Sequence, residues 1–368
     1  MLRVGIVSAA WGAFAHLPAW RAIEGVEVTA ICTSREETAR AAADRTGIAR
    51  PFWDALTMCR DPDIDIVDLG TRPGVRLPMV LEALRHGKHV YNSCPHAPDW
   101  AGAQAIDAAW DRSRSRTAVD AFSGYLPAHR QMSHMIGDGF LGTVLGGSCQ
   151  FNMSLFNRPD KRFPYNWFAD GAAGVSALRN FGSHLLYYLC DLLGPIAELV
   201  ADQQVVLREW TFADGDRITP ANPDYANLII RFASGVTISF QTSWSQSAQA
   251  GWTIDLFGTD GRLRSRAPSF PTVADCTLEA GAAGTRDGVS LKPVPLSFTP
   301  HPRIAMDPVS NPAPSFPMAL TMLSLVEAVE GQGDGAPGFA LALHVERALE
   351  AARISSGERR WVALADVV

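Results

Sequence analysis

The chain has 368 residues, of which 47% are apolar and 19% are charged, and this length and composition are typical of a protein with two globular domains. Its formal net charge of −6 provides no basic surface for collecting phosphates, which excludes nucleic acid as an expected partner. No apolar run approaches the roughly 18 residues of a membrane span, so no membrane contact is predicted. The six cysteines form no Cys-x-x-Cys pair, which predicts a reducing, cytoplasmic setting and no metal site.

Strand-like and helix-like segments alternate over the first third of the chain. Short apolar runs predict strands at residues 2–8, 26–32, 64–69, 89–92 and 117–122. Helical patterns predict helices near residues 12–23, 35–46, 75–86 and 99–112. Strands separated by helices of about ten or more residues imply right-handed crossovers and a parallel sheet. The fold class is therefore α/β, with a doubly wound Rossmann domain predicted over residues 1–122.

The pattern changes after residue 122. Strands are predicted at residues 143–153, 197–207, 226–232, 236–244, 252–257 and 361–364, and helices at residues 127–137, 181–193, 317–330 and 340–355. Consecutive strands joined by short turns, as at residues 233–235, predict an α+β domain with a large mixed or antiparallel sheet over residues 123–368. Residues 267–317 are expected to form loops and short edges, and the closing helix could pack back on the first domain.

Five short segments, in this order, carry a family resemblance. They are VGIVSAAWGAFAHLP at 4–18, DIDIVDLGT at 63–71, GKHVYNSCP at 87–95, IGDGFLG at 136–142 and NFGSH at 180–184. Together they resemble the Gfo/Idh/MocA oxidoreductases, named for glucose–fructose oxidoreductase and inositol dehydrogenase. The resemblance implies hydride transfer between a nicotinamide cofactor and a small polyol, sugar derivative, cyclic alcohol or carbonyl compound. It also implies a homo-oligomer, a dimer or tetramer, assembled through the broad sheet of the second domain.

The first turn of the dinucleotide domain departs from the family pattern. Members usually carry a G-x-G-x-x-G/A turn, whereas this chain has Ser8, Ala10 and Ala13 at those places, with Gly12 just before the last. The Ala10 methyl group crowds a diphosphate without excluding it, because the helix N-terminus still presents backbone N–H groups. The alternative is a plain strand-to-helix connection. The residues predicted to contact the cofactor are Ser8, Ala10, Trp11, Gly12, Ala13, Thr33, Ser34, Arg35, Thr71, Arg72, Ser93 and Pro95.

The end of the second strand bears on the choice between NAD(H) and NADP(H). Family members usually carry an acid there that binds the ribose hydroxyls of NAD, but this sequence reads Cys32-Thr33-Ser34-Arg35. Without a carboxylate at this place a 2′-phosphate is not repelled, and Arg35 can hold it with two parallel hydrogen bonds. The pattern therefore favours NADP(H) over NAD(H). Thr33 and Ser34 can also serve only as caps of the following helix.

Two catalytic positions of the family are altered. The family's E-K-P segment is Ser93-Cys94-Pro95 here, so the lysine that positions the substrate is replaced by a weakly polar thiol. Cys94 is either a buried, inert residue or a participant in altered chemistry. The family's D-x-x-x-H pair is Asn180 and His184, and a spacing of four places both on one helix face. His184 is predicted to take the proton, since the ordinary pKa of histidine is about 6.5.

Other residues are candidates to compensate for these losses. Tyr125 lies in G-Y-L-P, where the family often shows R-x-x-P, and it is a further catalytic candidate. Arg76 stands where many members place a histidine, and we expect it at a pocket rim or on the surface. Tyr and Trp side chains can stack on the apolar face of a sugar or aromatic ring, although each can equally belong to the core. The predicted substrate contacts are His96, Tyr165, Trp167 and Arg179.

Two other functions remain open at this point. The first is a sensor or regulatory protein that binds the dinucleotide without turnover, which Cys94 and Asn180 suggest. The second is a redox-assisted lyase or hydrolase that uses NAD(P) catalytically, as some family members do. Binding without turnover would identify the first, and a net non-redox product would identify the second.

Overall fold

The computed structural model describes residues 1–163, 165–248, 251–284, 290–296, 301–309 and 314–368. The chain forms two compact units, one of Met1–Tyr125 with Thr299–Leu343 and one of Leu126–Phe298 with His344–Val368. The sequence predicts a first domain over residues 1–122 and a second over residues 123–368, with a closing helix near 340–355 that could pack back on the first. Residues 299–343 instead belong to the first unit. The apolar helix Ser315–Val329 packs against strands of that unit, and helical periodicity in the sequence does not reveal which domain a helix packs against.

The first unit is built on a six-stranded parallel sheet. Its strands are β1 (Leu2–Val7), β2 (Val26–Cys32), β3 (Arg50–Phe52), β4 (Ile66–Leu69), β5 (His89–Asn92) and β6 (Thr117–Val119). They lie in the order β3-β2-β1-β4-β5-β6, with all neighbours parallel. This is the doubly wound order in which ligands bind beyond the carboxyl ends of the strands. The predicted parallel Rossmann sheet is confirmed, and only the three-residue β3, with Pro51 at its centre, was not predicted.

Helices connect these strands. They are α1 (Leu17–Arg21), α2 (Glu36–Thr46), α3 (Ala55–Arg60), α4 (Pro73–Arg85) and α5 (Trp100–Ala109), and a π-helical turn at Gly12–His16 leads into α1. Local chemistry fixes several starts: the Asp99 carboxylate accepts a hydrogen bond from the Gly102 amide at 2.7 Å, and Pro73 opens α4 where its missing N–H is not needed. Residues 55–60 were not predicted as a helix.

The second unit is built on a mixed nine-stranded sheet. Two helices, α6 (Pro127–Gly137) and α7 (Ser183–Leu193), accompany the strands β7 (Val144–Asn152), β8 (Ile196–Gln204), β9 (Trp210–Thr211), β10 (Arg217–Ile218), β11 (Tyr225–Phe232), β12 (Thr237–Ser243), β13 (Gly251–Gly258), β14 (Gly261–Ala267), β15 (Thr277–Ala282), β16 (Lys292–Pro293) and β17 (Val362–Ala363). The sheet order is β16-β15-β14-β13-β7-β12-β11-β8-β17, and β9 pairs with β10 separately. Only the β7–β12 pair in the nine-stranded sheet is parallel among the described strands. The predicted mixed sheet is confirmed.

The end of the chain supplies α8 (Ser315–Val329) and α9 (Phe339–Glu358). The division between the two units falls within α9, after Leu343. Residues 267–317 were predicted to form loops and short edges, but they include the six-residue strand β15. Residues 285–289, 297–300 and 310–313 of that stretch lie outside the described residues. Among the described helices, none combines the length and the apolar character that crossing a bilayer requires.

Candidate functional site

The turn after β1 is stabilised by a serine hydroxyl. Ser8 has a φ of 144°, a conformation that glycine adopts far more readily than other residues. Its Oγ accepts hydrogen bonds from the backbone amides of Ala10 at 3.2 Å and Gly12 at 3.4 Å. These amides lie in the turn that the sequence assigned to the diphosphate. A diphosphate bound there would therefore compete with the Ser8 hydroxyl for the same donors.

Gly12 brings the helical turn close to β1. A Cβ atom on Gly12 would lie 2.8 Å from Cγ2 of Ile6, so a side chain there requires the backbone to move. Gly70, just after β4, also neighbours this turn, but its Cβ would lie 3.5 Å from the Gly12 amide nitrogen, an ordinary contact distance. The sequence comparison aligned the last motif glycine with Ala13, but Gly12 provides the close helix–strand packing. Gly12 is also the first residue of the π-helical turn Gly12–His16.

The hydroxyl of Thr33 is engaged in shaping the end of β2. Its Oγ1 donates to the Arg35 carbonyl at 3.0 Å and lies 2.6 Å from Oγ1 of Thr38. The side chains of Ser34 and Arg35 are exposed. The N-cap residue of α2 is Arg35, not Thr33 or Ser34, and the Thr33 hydroxyl donates to a carbonyl instead of accepting from a helix amide, so the capping alternative is not what the structure shows for Thr33. The exposed groups at this strand end are Ser34 and Arg35.

Arg76 is a buried residue, and the expectation of a rim or surface position is wrong. It is 1% exposed on the inward stripe of α4, and its guanidinium donates hydrogen bonds to the carbonyl oxygens of Thr71, Ser93 and Pro95. Thr71 follows β4, whereas Ser93 and Pro95 follow β5. Arg76 therefore links the loops that leave two adjacent strands. Arg72, one of the predicted cofactor contacts in the first of these loops, is exposed.

Cys94 differs from the other cysteines in exposure. All six cysteines lie in the described part of the chain, and Cys94 is half-buried whereas the other five are buried. Burial raises the pKa of Cys32 and of Cys59 to about 12 in each case. The Cys94 thiol lies 3.5 Å from the carbonyl oxygen of Asp120. Cys94 is thus the most exposed of the six cysteines, and the choice between an inert residue and a participant in the chemistry stays a prediction.

His96, predicted as a substrate contact, and Tyr125, predicted as a catalytic candidate, both make hydrogen bonds within the first unit. His96 is buried; Nδ2 of Asn92 donates to its carbonyl oxygen at 2.8 Å and lies 3.0 Å from its Nδ1, and the His96 ring packs against Phe339 at 4.4 Å. The Tyr125 hydroxyl donates to the Ala336 carbonyl at 2.8 Å. These contacts give both residues a role in holding the unit together.

A buried charged network lies in the same unit, and the sequence analysis missed it. His16 Nδ1 lies 2.9 Å from Asp68 and its Nε2 lies 3.2 Å from Asp120, with no part of the His16 side chain exposed. Trp20 donates to Asp68 at 2.8 Å and Tyr91 to Asp120 at 3.0 Å. Burial opposes protonation, but the two carboxylates outweigh it and raise the pKa of His16 to about 10. The available signal was Asp68, a charged residue inside an apolar strand.

In the second unit, four polar residues near the start of α7 form what we call the polar stripe. Asn180 lies in a π-helical turn, Leu178–Gly182, that leads into α7, and Ser183, His184 and Tyr187 follow on α7, where spacings of three and four residues bring side chains to one side of the helix. Within the described residues, the buried atoms Oδ1 of Asn180 and Oγ of Ser183 make no hydrogen bond. Buried polar atoms ordinarily have partners, so this stripe is suited to receive hydroxyl groups of a ligand. The pairing of Asn180 with His184 stays a prediction.

Arg179, a predicted substrate contact, is held by an ion pair within the second unit. Its Nη2 donates to Oε2 of Glu346 at 2.6 Å, and its Nε donates to the Gly174 carbonyl at 3.2 Å. Glu346 is buried on α9. The guanidinium is therefore engaged by protein groups rather than presented to a ligand.

Tyr165 and Trp167 pack against an aromatic cluster of the second unit. Both are half-buried. The cluster is centred on Phe156 and Trp210, whose rings stack at 3.9 Å, together with Phe168 and Trp244. The core alternative therefore accounts for part of the surface of Tyr165 and Trp167, and both residues keep some exposure.

Known protein families match two long segments of the chain. Residues 2–121 match the description "Oxidoreductase family, NAD-binding Rossmann fold", and residues 129–264 match "GFO/IDH/MocA C-terminal domain". The chain belongs to the Gfo/Idh/MocA oxidoreductase family. The predicted family membership is confirmed.

Relatives and solved structures of the Gfo/Idh/MocA family extend the comparison. D-apiose dehydrogenase of Paraburkholderia graminis is 27% identical over 78% of this chain and 72% of that protein. Levoglucosan dehydrogenase of Pseudarthrobacter phenanthrenivorans is 23% identical over 63% of each chain. An NAD-binding oxidoreductase from Klebsiella pneumoniae superposes with a TM-score of 0.86 at 23% identity, covering 100% of this chain and 99% of the other. A levoglucosan dehydrogenase complex with NADH and L-sorbose gives 0.87 at 20% identity over 99% of each.

Proposed function

We propose that this chain is an NAD(P)(H)-dependent oxidoreductase that transfers a hydride between nicotinamide and a small sugar derivative, polyol, cyclic alcohol or carbonyl compound. The observation that carries the proposal is the close packing of Gly12 against Ile6 at the carboxyl end of β1, within the doubly wound sheet of an NAD-binding family. Two relatives are dehydrogenases of D-apiose and levoglucosan. A small sugar or polyol is therefore the substrate class to test first.

The residues of the first unit fit a dinucleotide. The turn from Ser8 to Ala13 would hold the diphosphate at the start of the helical segment, and the glycine at position 12 leaves room where a Cβ atom would clash. When bound, the nicotinamide supplies the hydride acceptor or donor. The loops containing Thr71 and Ser93 lie beyond the carboxyl ends of β4 and β5, where ligands of this fold bind.

We propose NADP(H) as the preferred cofactor. The support is the exposed pair Ser34 and Arg35 at the end of β2, since a guanidinium can hold a 2′-phosphate with paired hydrogen bonds. Thr33 does not contribute its hydroxyl, because Thr38 and the Arg35 carbonyl already engage it.

We propose His184 as the group that handles the proton. It is 8% exposed and lies on the polar stripe with Asn180 and Ser183, which would bind and orient substrate hydroxyls. Cys94 is proposed as a weak polar contact, because a thiol does not act as an electrostatic clamp in the way an ammonium does. Tyr165 and Trp167 remain proposed substrate contacts, because both side chains are only partly buried. We assign structural roles to His96, Tyr125 and Arg179 because of their protein contacts.

The proposal is tested by turnover and binding together. NADP⁺ reduction and NADPH oxidation would be followed over a panel of sugars, polyols and their carbonyl forms, with calorimetry of each dinucleotide. His184→Ala should lower kcat by roughly 10²- to 10⁴-fold without changing dinucleotide affinity. His134→Ala is the matched control, because His134 is an exposed histidine on α6. If no dinucleotide binds to the wild-type protein, the proposal fails.

A cofactor-binding sensor is the second candidate, favoured by the neutral residues Cys94 and Asn180 at the two altered family positions. It predicts tight dinucleotide binding with no turnover of any panel substrate and a protein partner recovered by affinity capture. Robust turnover would exclude it.

We also propose a homo-oligomer formed through the face of the nine-stranded sheet that carries Gln150, Asn227 and Gln241. Ile229 and Phe257, on strands of this sheet, are 44% and 46% exposed. Light scattering coupled to gel filtration would measure the mass, and Ile229→Asp should dissociate the assembly. A monomeric wild-type protein would refute this part of the proposal.

A further inference from the structure

We propose that Arg76 is a positioning residue that fixes the Cys94 turn and the adjoining cofactor loop in their working geometry. The inference rests on the proposed oxidoreductase function, but its main experimental readout does not require turnover or a bound cofactor. Arg76 does not itself touch the reacting groups in this proposal. It acts through the backbone that carries them.

The hydrogen bonds of Arg76 surround Cys94 on both sides. The guanidinium donates to the carbonyl oxygens of Ser93 and Pro95, the two neighbours of Cys94 in the chain. A third hydrogen bond reaches the Thr71 carbonyl on the loop after β4. One side chain therefore fixes two loops that leave adjacent parallel strands, in the region where this fold binds its ligands.

Arginine is suited to this position in a way that lysine is not. A buried cation is tolerated only when hydrogen bonds replace its hydration, and Arg76 is 1% exposed. The planar guanidinium presents five donors in a rigid arrangement, so it can serve carbonyls that lie in different directions. A lysine ammonium is a point charge on a flexible stem and would hold fewer of these groups in place.

The Cys94 thiol is restrained from a second direction. Its Sγ lies 3.5 Å from the Asp120 carbonyl, and the Asp120 side chain is itself held by Tyr91 and His16. If Arg76 is removed, the carbonyls of Ser93 and Pro95 lose the guanidinium, while the Asp120 contact and the hydrogen bond from the Ser93 amide to the Leu69 carbonyl are kept. Greater opening of the turn should then expose the thiol more often.

Cys94 provides a direct reporter of this turn, because the other five cysteines are buried. The experiment measures the reaction of the ligand-free protein with 5,5′-dithiobis(2-nitrobenzoate). The Cys94 thiolate attacks the reagent's disulfide, forms a mixed disulfide and releases one equivalent of thionitrobenzoate, which is read by its absorbance. Cys94→Ser identifies the fast phase, and peptide mass mapping identifies each labelled residue.

The variants are Arg76→Lys and Arg76→Ala, with Arg85→Ala as the matched control. Arg85 lies in the last turn of α4 and is 63% exposed, so its loss should leave the labelling rate unchanged. We expect Cys94 to be labelled about tenfold faster or more in Arg76→Ala than in the wild type, which is the change expected from losing a charged hydrogen bond. The labelling rate of Arg76→Lys should lie between those of the wild type and Arg76→Ala. Millimolar guanidinium should slow the labelling of Arg76→Ala but not that of Arg76→Lys.

A merely structural role for Arg76 gives a different result. General loss of stability would expose Cys32 and Cys59 together with Cys94, whereas a positioning role accelerates labelling at Cys94 alone. Labelling of Cys94 within twofold of wild type in both variants, or parallel labelling of the buried cysteines, would overturn the inference. Should Arg76→Ala fail to fold, Arg76→Lys and its melting temperature decide the question by the same comparison.

Dinucleotide measurements separate this inference from the function it rests on. In the Arg76 variants we expect kcat to fall by about 100-fold, as for a small misplacement of reacting groups, with a smaller change in dinucleotide affinity. A wild-type protein that binds no dinucleotide would end the proposed function, yet the labelling comparison would still decide whether Arg76 positions Cys94.

Discussion

The guanidinium of Arg179 donates a hydrogen bond to Glu346 at 2.6 Å, and the two side chains are only 16% and 1% exposed. Removing one partner leaves a buried charge without its counter-ion, which is more damaging than losing an exposed pair. We expect Glu346→Gln to lower the free energy of unfolding by about 3 kcal/mol, measured by urea denaturation. On the same helix, Glu350→Gln affects a pair whose arginine, Arg353, is exposed, and the change should stay below about 0.5 kcal/mol. Equal effects would contradict the assigned importance of the buried pair.

The buried His16 network predicts how stability changes with pH. The pKa of His16 is about 10 in the folded protein and near 6.5 in an unfolded chain, so the folded state holds the extra proton between these values. The contribution of His16 is therefore complete below about pH 6.5 and declines at up to about 1.4 kcal/mol per pH unit as the pH rises towards 10. Urea unfolding at several pH values should show this decline in the wild type and lose it in His16→Gln. The exposed His134, changed to Gln, should leave the slope intact.

Gly12 is expected to tolerate no side chain. Because a Cβ atom would lie 2.8 Å from Ile6 Cγ2, Gly12→Ala must displace the turn, with a loss of about 1–3 kcal/mol in stability. We expect dinucleotide affinity, measured by calorimetry, to fall by about tenfold or more for the same reason. Gly137→Ala is the control, since nothing lies within 4 Å of its added Cβ. If Gly12→Ala binds the cofactor as tightly as the wild type, the proposed diphosphate turn is wrong.

Arg35 is expected to distinguish the two cofactors. Loss of a charged hydrogen bond to the 2′-phosphate should raise the Kd for NADPH by about tenfold or more, while the Kd for NADH should change less than about twofold. Fluorescence titration of Arg35→Ala with both cofactors measures the ratio. Arg40→Ala provides the comparison, because Arg40 pairs with Glu36 on the exposed side of α2. Equal losses for both cofactors would remove the basis for preferring NADP(H).

Asn180→Asp should restore a carboxylate beside His184. An acid at this spacing stabilises the imidazolium, so the pKa governing kcat should rise and turnover should increase, by about tenfold or more if proton transfer limits the rate. A full pH–rate profile of wild type and variant makes the comparison. An unshifted profile would separate Asn180 from the proton-transfer step.

Local periodicity predicted most of the fold, because apolar runs and helical stripes act over short distances. Strand β3 was not predicted, because a strand of three residues with a proline at its centre is too short to show an alternating apolar pattern. The turn at Gly12 and the Asn180–His184 pair were visible as motifs. Arg76 was misjudged because an arginine ordinarily indicates exposure, and only the tertiary structure reveals the three carbonyls that it serves. In the His16 network, Asp68 and Asp120 lie 52 and 104 positions after His16 in the chain. No local sequence pattern specifies contacts over such separations.

The Ser8 hydroxyl, which accepts hydrogen bonds from the Ala10 and Gly12 amides, affects the free energy of binding the proposed dinucleotide. The turn is already ordered before any anion arrives, so binding exchanges one oxygen acceptor for another instead of folding a flexible segment. The entropic penalty of association should accordingly be small. In Ser8→Gly the Ala10 and Gly12 amides would lose this acceptor and be available to a diphosphate. The turn would then become ordered only when the diphosphate binds.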